Sequence, residues 1–191
     1  MYKLKIISST VRPGRKGTTI ANWVLETVKN HGGFDVELLD LGEINLPLMN
    51  EPIHPIMRQY EHDHTKQWSA KIEEADAFIF VTAEYDYSYP ASLKNAIEYL
   101  VQEWAYKPAG MVSYSVGPFA GVRAVVSLKG DLLSLKTISL GEMVNISFLD
   151  KYINEDGVFI ADERLIVTSK IMLDQLVRWT KGLKAIKEDR Q

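Results

Sequence analysis

A length of 191 residues suits one domain with a two-sided core, and 46% hydrophobic with 25% charged residues excludes a disordered chain. A formal net charge of −3 and a pI near 5.8 argue against nucleic acid as a partner, and fall far short of the acidity of a carrier that docks on basic proteins. The lack of cysteine removes disulfides, thiolate catalysis and Cys-ligated metals, and no apolar run approaches the ~20 residues of a membrane span.

Met1-Tyr2-Lys3-Leu4-Lys5 enters a strand pattern directly, without a secretory apolar stretch, so the expected location is the cytoplasm. Residues 2–8 read as a first strand. Gly14 and Gly17 break the chain, and a helix follows with Ile20, Trp23, Val24 and Val28 on one face until His31-Gly32-Gly33 stops it. Residues 34–40 alternate as a second strand. An irregular stretch, about 41–65, carries Pro47, Pro52 and Pro55; loops of this length are usually functional or covered by a partner. A helix is expected over 66–75.

Residues 77–82, Ala-Phe-Ile-Phe-Val-Thr, form the unbroken apolar run of a strand covered on both faces. Pro90 opens a helix whose stripe is Leu93, Ala96, Ile97, Leu100 and Val101. A fourth strand is read at 109–114, a helix at 119–134, and a short fifth strand near 143–146. A polar excursion follows around 154–157, then a last helix at 163–183. No repeat, linker or low-complexity tract divides residues 1–191, and the alternation predicts a single α/β domain. Its doubly wound, five-stranded parallel sheet has the expected order 2-1-3-4-5. Ligands of such sheets lie beyond the strand C-termini, here the loops 9–19, 83–89 and 115–123.

In the first of these, Ser9-Thr-Val-Arg-Pro-Gly-Arg-Lys-Gly-Thr-Thr19 gathers hydroxyls, glycines and cations at a helix N-terminus. There the free N–H groups and the helix dipole favour an anion. It matches neither the Walker A spacing nor G-x-G-x-x-G, so a terminal monophosphate fits better than a triphosphate or pyrophosphate. The plainer alternative is that Thr18 or Thr19 caps the helix while Arg12 and Arg15 are solvated. In the second loop, Ala83-Glu-Tyr-Asp-Tyr-Ser-Tyr-Pro90 sets three tyrosines at a strand mouth, suited to the edge of a planar ligand or simply to packing the loop. Glu84 and Asp86 also admit a glycoside-hydrolysing pair, though they flank no sugar platform.

Residues 84–97, Glu-Tyr-Asp-Tyr-Ser-Tyr-Pro-Ala-Ser-Leu-Lys-Asn-Ala-Ile, resemble the Pro-Glu-Tyr-Asn-x-x-x-Pro-x-x-Leu-Lys-Asn-Ala-Ile signature of the NADPH-dependent FMN reductase family. Ser9-Thr10-Val11-Arg12 is similar to that family's Gly-Ser-x-Arg motif, and Ser115 to Arg123 resembles its Ser-x-Gly-x-x-x-Gly-x-Arg segment. The resemblance implies a flavodoxin-like fold holding FMN without a covalent bond. By it, Thr10, Arg12, Arg15, Gly17, Thr18 and Thr19 surround the phosphate. Glu84, Tyr85, Asp86 and Tyr87 line the isoalloxazine, and Ser115 and Gly117 close the pocket.

Four departures stand out: Ser9 for Gly, Ala83 for Pro, Asp86 for Asn, and the bulk of Pro118 and Phe119. Asp86 brings a carboxylate that disfavours an anionic reduced ring. The implied activity passes hydride from NAD(P)H to FMN N5 and then to a small-molecule acceptor (a quinone, free flavin, azo compound or oxidised metal ion) in a ping-pong cycle. The cofactor carries the chemistry and no catalytic side chain is required. The alternative is a non-enzymatic FMN-binding electron carrier or redox-responsive module.

Trp104 and Tyr106, with the proline-rich 43–66 loop, are expected to form an exposed apolar patch, the alternative being simple packing onto the domain; the resemblance implies a homodimer, or a tetramer of two such dimers. His62-Asp63-His64 lacks a third ligand at a persuasive spacing, so no metal site is expected. Trp179 is read as core or interface, and Lys181, Lys184, Lys187 and Arg190 as a fraying, solvated terminus.

Overall fold

The computed structural model describes residues 1–188. Five parallel strands, β1 (Tyr2–Ser8), β2 (Phe34–Asp40), β3 (Ala77–Ala83), β4 (Pro108–Tyr114) and β5 (Ile138–Ile146), lie in the order β2-β1-β3-β4-β5, as the alternation of elements requires. Six helices connect or follow them: α1 (Gly17–His31), α2 (Leu41–Ile44), α3 (Asp63–Glu73), α4 (Ala91–Glu98), α5 (Val122–Ser134) and α6 (Glu163–Glu188).

Every residue of β3 is buried, and its side chains alternate between two cores. Ala77, Ile79, Val81 and Ala83 pack with Ile20, Val24 and Val28 of α1 and with Leu165, Met172 and Leu176 of α6. Phe78 and Phe80 join Trp68, Ile72, Leu93, Ile97 and Leu128 on the opposite face. Each large aliphatic side chain so buried contributes about 1.5–3 kcal/mol. Gly32, with φ 75°, ends α1 by donating its N–H to Val28 O, the stop expected of His31-Gly32-Gly33. Lys107, almost fully buried, donates from Nζ to the carbonyls of Ile72 (2.7 Å) and Glu73 (2.9 Å) at the end of α3. Burial pushes its pKa down to about 7.

Several boundaries differ from the sequence reading. Strand β5 begins at Ile138 rather than 143: as an edge strand it keeps Gly141 and Glu142 exposed, so it lacks a continuous apolar run. Helix α3 starts at Asp63, before its apolar stripe, and α5 starts at Val122, because Ala120 (φ 53°) and Gly121 (φ 77°) hold a left-handed turn ahead of it. Helix α4 stops at Glu98, leaving Leu100 and Val101 beyond it.

The 41–65 stretch is partly structured. It contains α2 and a 3-10 turn at Pro55–Met57, and it is strapped to α4 through Asn95, which donates to Pro47 O and accepts from Met49 N. Its far end is fixed on the fully buried Glu103, whose Oε1 accepts from Tyr60 Oη and Ser69 Oγ, each at 2.7 Å.

Trp104 is not part of an exposed patch. It is completely buried, its ring packs against Trp68, Phe78 and Phe80, and its Nε1 donates to Ile97 O, because the 3-10 turn at Gln102–Trp104 directs it under the sheet. Trp179 is 45% exposed on α6 and is not core. The helix itself does not fray at 183; through Glu188 it stays helical, and Lys184 pairs with Asp76 and Lys187 with Glu73. Arg190 lies outside the described residues. His62 and His64 stack and hydrogen-bond to Asn50, and no metal-binding group of carboxylate and imidazole side chains occurs among the described residues. None of the described helices is long and apolar enough to cross a membrane.

Candidate functional site

Register brings the three ligand-facing loops to one edge. Ser8 pairs with Asp40 on one side and Val81 on the other, and Ala83 pairs with Tyr114. The chain runs outward in opposite directions from β1 and β3, which opens a crevice between their C-terminal ends. A cavity of about 220 Å³ fills that crevice, with Thr10 and Arg12 from the first loop, Glu84 and Tyr85 from the second, and Tyr114 and Ser115 from the third. A depression of about 580 Å³ lies elsewhere, away from these strand ends, and one of about 630 Å³ lies between α4 and α5, reaching Ser88 and Tyr89 of the second loop.

The first loop is held to the sheet from two sides. Ser9 N donates to Val81 O, its buried hydroxyl donates to Thr82 Oγ1, and Ser92 Oγ bonds its carbonyl, so a serine replaces glycine here without loosening the turn. Thr10 Oγ1 and Tyr114 Oη share a buried hydrogen bond of 3.3 Å. Gly17 sits against both: a Cβ there would lie 2.2 Å from Thr10 Oγ1 and 2.6 Å from Tyr114 Oη. Only glycine fits.

Helix α1 opens on this cradle with no side-chain cap and no acidic residue in its first turn. The plainer alternative, that Thr18 or Thr19 caps it, is therefore not met. Its positive end and free N–H groups remain for an anion.

The cations divide. Arg12 is exposed and its Nε donates to Tyr85 Oη at 3.2 Å, linking the first loop to the second. Arg15 lines the cavity, but its Nη2 donates to both carboxylate oxygens of the buried Asp40 at 2.9 Å, and its Nε to Thr18 Oγ1. Thr18 Oγ1 in turn donates to Asp40 Oδ2 at 3.0 Å. Arg15 and Thr18 thus spend their side chains on Asp40. Thr19 points into a separate groove beside Trp23 and Phe159, since each helical step turns the side chain by about 100°.

The second loop is a two-residue hairpin. Tyr85 and Ser88 exchange backbone bonds of 2.8 and 2.9 Å, while Asp86 (φ 48°) and Tyr87 (φ 68°) both stand in the left-handed region of a type I′ turn. Glu84 is ion-paired with Arg123, whose Nε donates to Oε1 at 2.6 Å, so it is no free acid to partner Asp86 in glycoside hydrolysis. The Arg123 guanidinium sits 3.9 Å from the Tyr87 ring centroid and 4.4 Å from that of Phe119.

In the third loop, Ser115 N donates to Ile146 O and Ser115 Oγ to Gly117 O. Gly121 passes so close to β4 that a Cβ would lie 2.9 Å from Tyr114 N. Among the described residues, the N–H groups of Asp86, Tyr87, Val116 and Gly117 make no backbone hydrogen bond. Burial raises the Tyr114 hydroxyl to about 12, so it stays protonated and can donate.

The sequence reading missed Tyr114, Asp40, Lys16, Val116 and Leu149. Tyr114 and Asp40 end predicted strands, the place where the strand-end rule finds ligand contacts. Lys16, which pairs with Asp150, and Val116 stand inside the expected ligand loops without being candidates themselves, and Leu149 comes from a fold-back that no local pattern announces. The donor set suits a phosphate ester: a glycine cradle that a Cβ would fill, an uncapped helix end and an exposed arginine. The phosphate ester of FMN fits that donor set.

Residues 2–150 match the family described as NADPH-dependent FMN reductase. The chain is 46% identical over 114 residues to an NAD(P)H-dependent FMN reductase of Schizosaccharomyces pombe, covering 59% of this chain and 57% of that one. It is 30% identical over 176 residues to an NAD(P)H:quinone oxidoreductase of Solanum tuberosum, covering 85% of each. Among solved structures, the flavoenzyme NAD(P)H:(acceptor) oxidoreductase FerB from Paracoccus denitrificans superposes with a TM-score of 0.77 at 22% identity. That superposition covers 95% of this chain and 98% of that one.

Proposed function

The chain belongs to the NADPH-dependent FMN reductase family, and from that premise we propose that it binds FMN in the β1–β3 crevice and reduces small-molecule acceptors with NAD(P)H. The observation that carries this reading is the uncapped, acid-free start of α1, open to the same cavity as the Tyr85 hairpin. Once bound, FMN supplies the two-electron chemistry that links a nicotinamide donor to an acceptor such as a quinone or azo compound.

The chain's own residues do the rest. The first-turn N–H groups of α1 and the Arg12 guanidinium hold the phosphate dianion. Arg15, fixed on Asp40, contributes positive field at the cavity wall and keeps α1 anchored to the end of β2. Thr10 and Tyr114 maintain the floor through their mutual bond, with Tyr114 protonated across the physiological range. The free N–H groups of Asp86, Tyr87, Val116 and Gly117 are donors available to the polar edge of the ring, where negative charge is favoured by such dipoles.

A second copy of the chain completes the reading. Support comes from exposed apolar residues: Leu48, which lines the groove between α4 and α5, and Val126 and Leu133 of α5. We place this activity in the cytoplasm: the chain has no cysteine, and none of the described helices is long and apolar enough to cross a membrane.

Purified protein titrated with FMN, then assayed for acceptor-dependent NAD(P)H oxidation, tests the proposal. Flavin bound at about one per chain with steady turnover supports it. Bound flavin without turnover favours an electron carrier, and no binding removes the reading altogether.

A further inference from the structure

The Glu84–Arg123 pair joins two of the loops that bound the site. The Glu84 side chain is 7% exposed; its Oε1 accepts from Arg123, and its Oε2 is buried without a partner. Arg123, the second residue of α5, lies between the rings of Tyr87 and Phe119, at 3.9 and 4.4 Å. The 118–121 turn behind it is fastened to β4 by Ser113 Oγ donating to Ala120 O at 2.7 Å. Tyr87 holds φ 68°, a state that a non-glycine residue keeps only where its surroundings favour it, and a cation–π contact is of the same order as that strain.

No other side chain type meets both demands. An apolar residue at 123 would leave the Glu84 carboxylate buried without its counter-ion. Lysine would restore charge, but not a planar group shared by two rings.

We propose that Arg123 is a positioning residue for the flavin-side hairpin: it neutralises Glu84 and holds Tyr87 in its turn, so that the 84–88 segment keeps the shape in which it meets the ring. This rests on the FMN reading above.

The test compares wild type, Arg123→Lys, Arg123→Gln and the double variant Glu84→Gln/Arg123→Gln. Amide hydrogen exchange at Tyr85 and Ser88 is measured without flavin; FMN affinity and the midpoint potential of bound FMN are measured with it. Arg123→Gln should speed exchange and weaken FMN binding, each about tenfold. It should also lower the potential, because an unpaired carboxylate then opposes charge on the reduced ring. Lysine should restore the potential without restoring exchange protection, and the double variant should restore the potential by removing the carboxylate.

Unchanged affinity and potential in Arg123→Gln, with wild type binding FMN normally, would overturn the positioning role. Wild type that binds no FMN would overturn the site reading instead. The exchange data, taken without flavin, still decide whether Arg123 holds the hairpin; unchanged exchange shows that it does not.

Discussion

Gly17 and Tyr114 approach so closely that a Cβ on the glycine would stand 2.6 Å from the tyrosine hydroxyl. The start of α1 is therefore pressed onto the end of β4, across the crevice where the phosphate is proposed to sit. The neighbouring Thr10 hydroxyl is closer still, so a Cβ there would force these side chains to shift and would disturb their shared bond.

Gly17→Ala should consequently be destabilising by about 1–3 kcal/mol, the usual range for overpacking. FMN affinity should fall further than stability accounts for, because the cradle itself is deformed. Urea melts and flavin titration of the same preparation separate the two effects.

Arg12 and Arg15 should behave oppositely. Arg12→Ala removes an exposed guanidinium and should weaken FMN by roughly 10- to 100-fold, the equivalent of a charge-assisted bond of ~1.5–3 kcal/mol, with little change in melting. Arg15→Ala strands the buried Asp40 and should lower stability by about 3 kcal/mol. Thermal melts of the flavin-free variants check the second half of this contrast.

Lys107 sets a pH dependence at neutral to alkaline pH. In the unfolded chain its amine holds a proton to about pH 10.4. In the folded chain, burial releases that proton near 7. Between these values the unfolded state binds more protons, so stability rises with pH, by at most ~1.4 kcal/mol per unit. Below pH 7 both states are protonated and the penalty is constant. Chemical denaturation of wild type and Lys107→Met from pH 6 to 9 should show wild type gaining on the variant; a flat difference would mean that the two carbonyls keep the ammonium charged.

The acid limb belongs in part to Glu74. Bonds from Lys5, then Lys3, pull its carboxyl down to about 2. The unfolded carboxyl titrates near 4.3. The contribution is thus complete above about pH 5 and is lost as pH falls through 4 toward 2. Glu74→Gln should be less stable than wild type at pH 6, with the difference mostly lost by pH 2, in acid-denaturation curves.

The sheet was legible because buried parallel strands leave unbroken apolar runs: Ala77 to Thr82 announced β3 and, with its neighbours, the strand order. Strand β5 was read short because an edge strand alternates with solvent at Gly141 and Glu142. At the candidate site, loop position and the family signature point to Thr10, Arg12, Gly17 and Tyr85, and the structure brings Thr10, Arg12 and Tyr85 to one cavity. What sequence spacing could not carry was the commitment of side chains to distant partners. Arg15 and Thr18 turn to Asp40, Glu84 turns to Arg123, and Trp104 goes under the sheet; each is set by a contact more than 20 residues away.

A hairpin of the Tyr85–Ser88 kind is most easily made with Asn-Gly or Asp-Gly at its tip, yet this chain keeps tyrosine in the second place, in a backbone state that disfavours side chains by about 1–2 kcal/mol. Glycine at 87 would relax the backbone and erase the aromatic surface beneath the guanidinium. Selection for heat resistance alone would therefore drift toward glycine here, and engineering campaigns aimed at a tougher enzyme should hold this codon fixed.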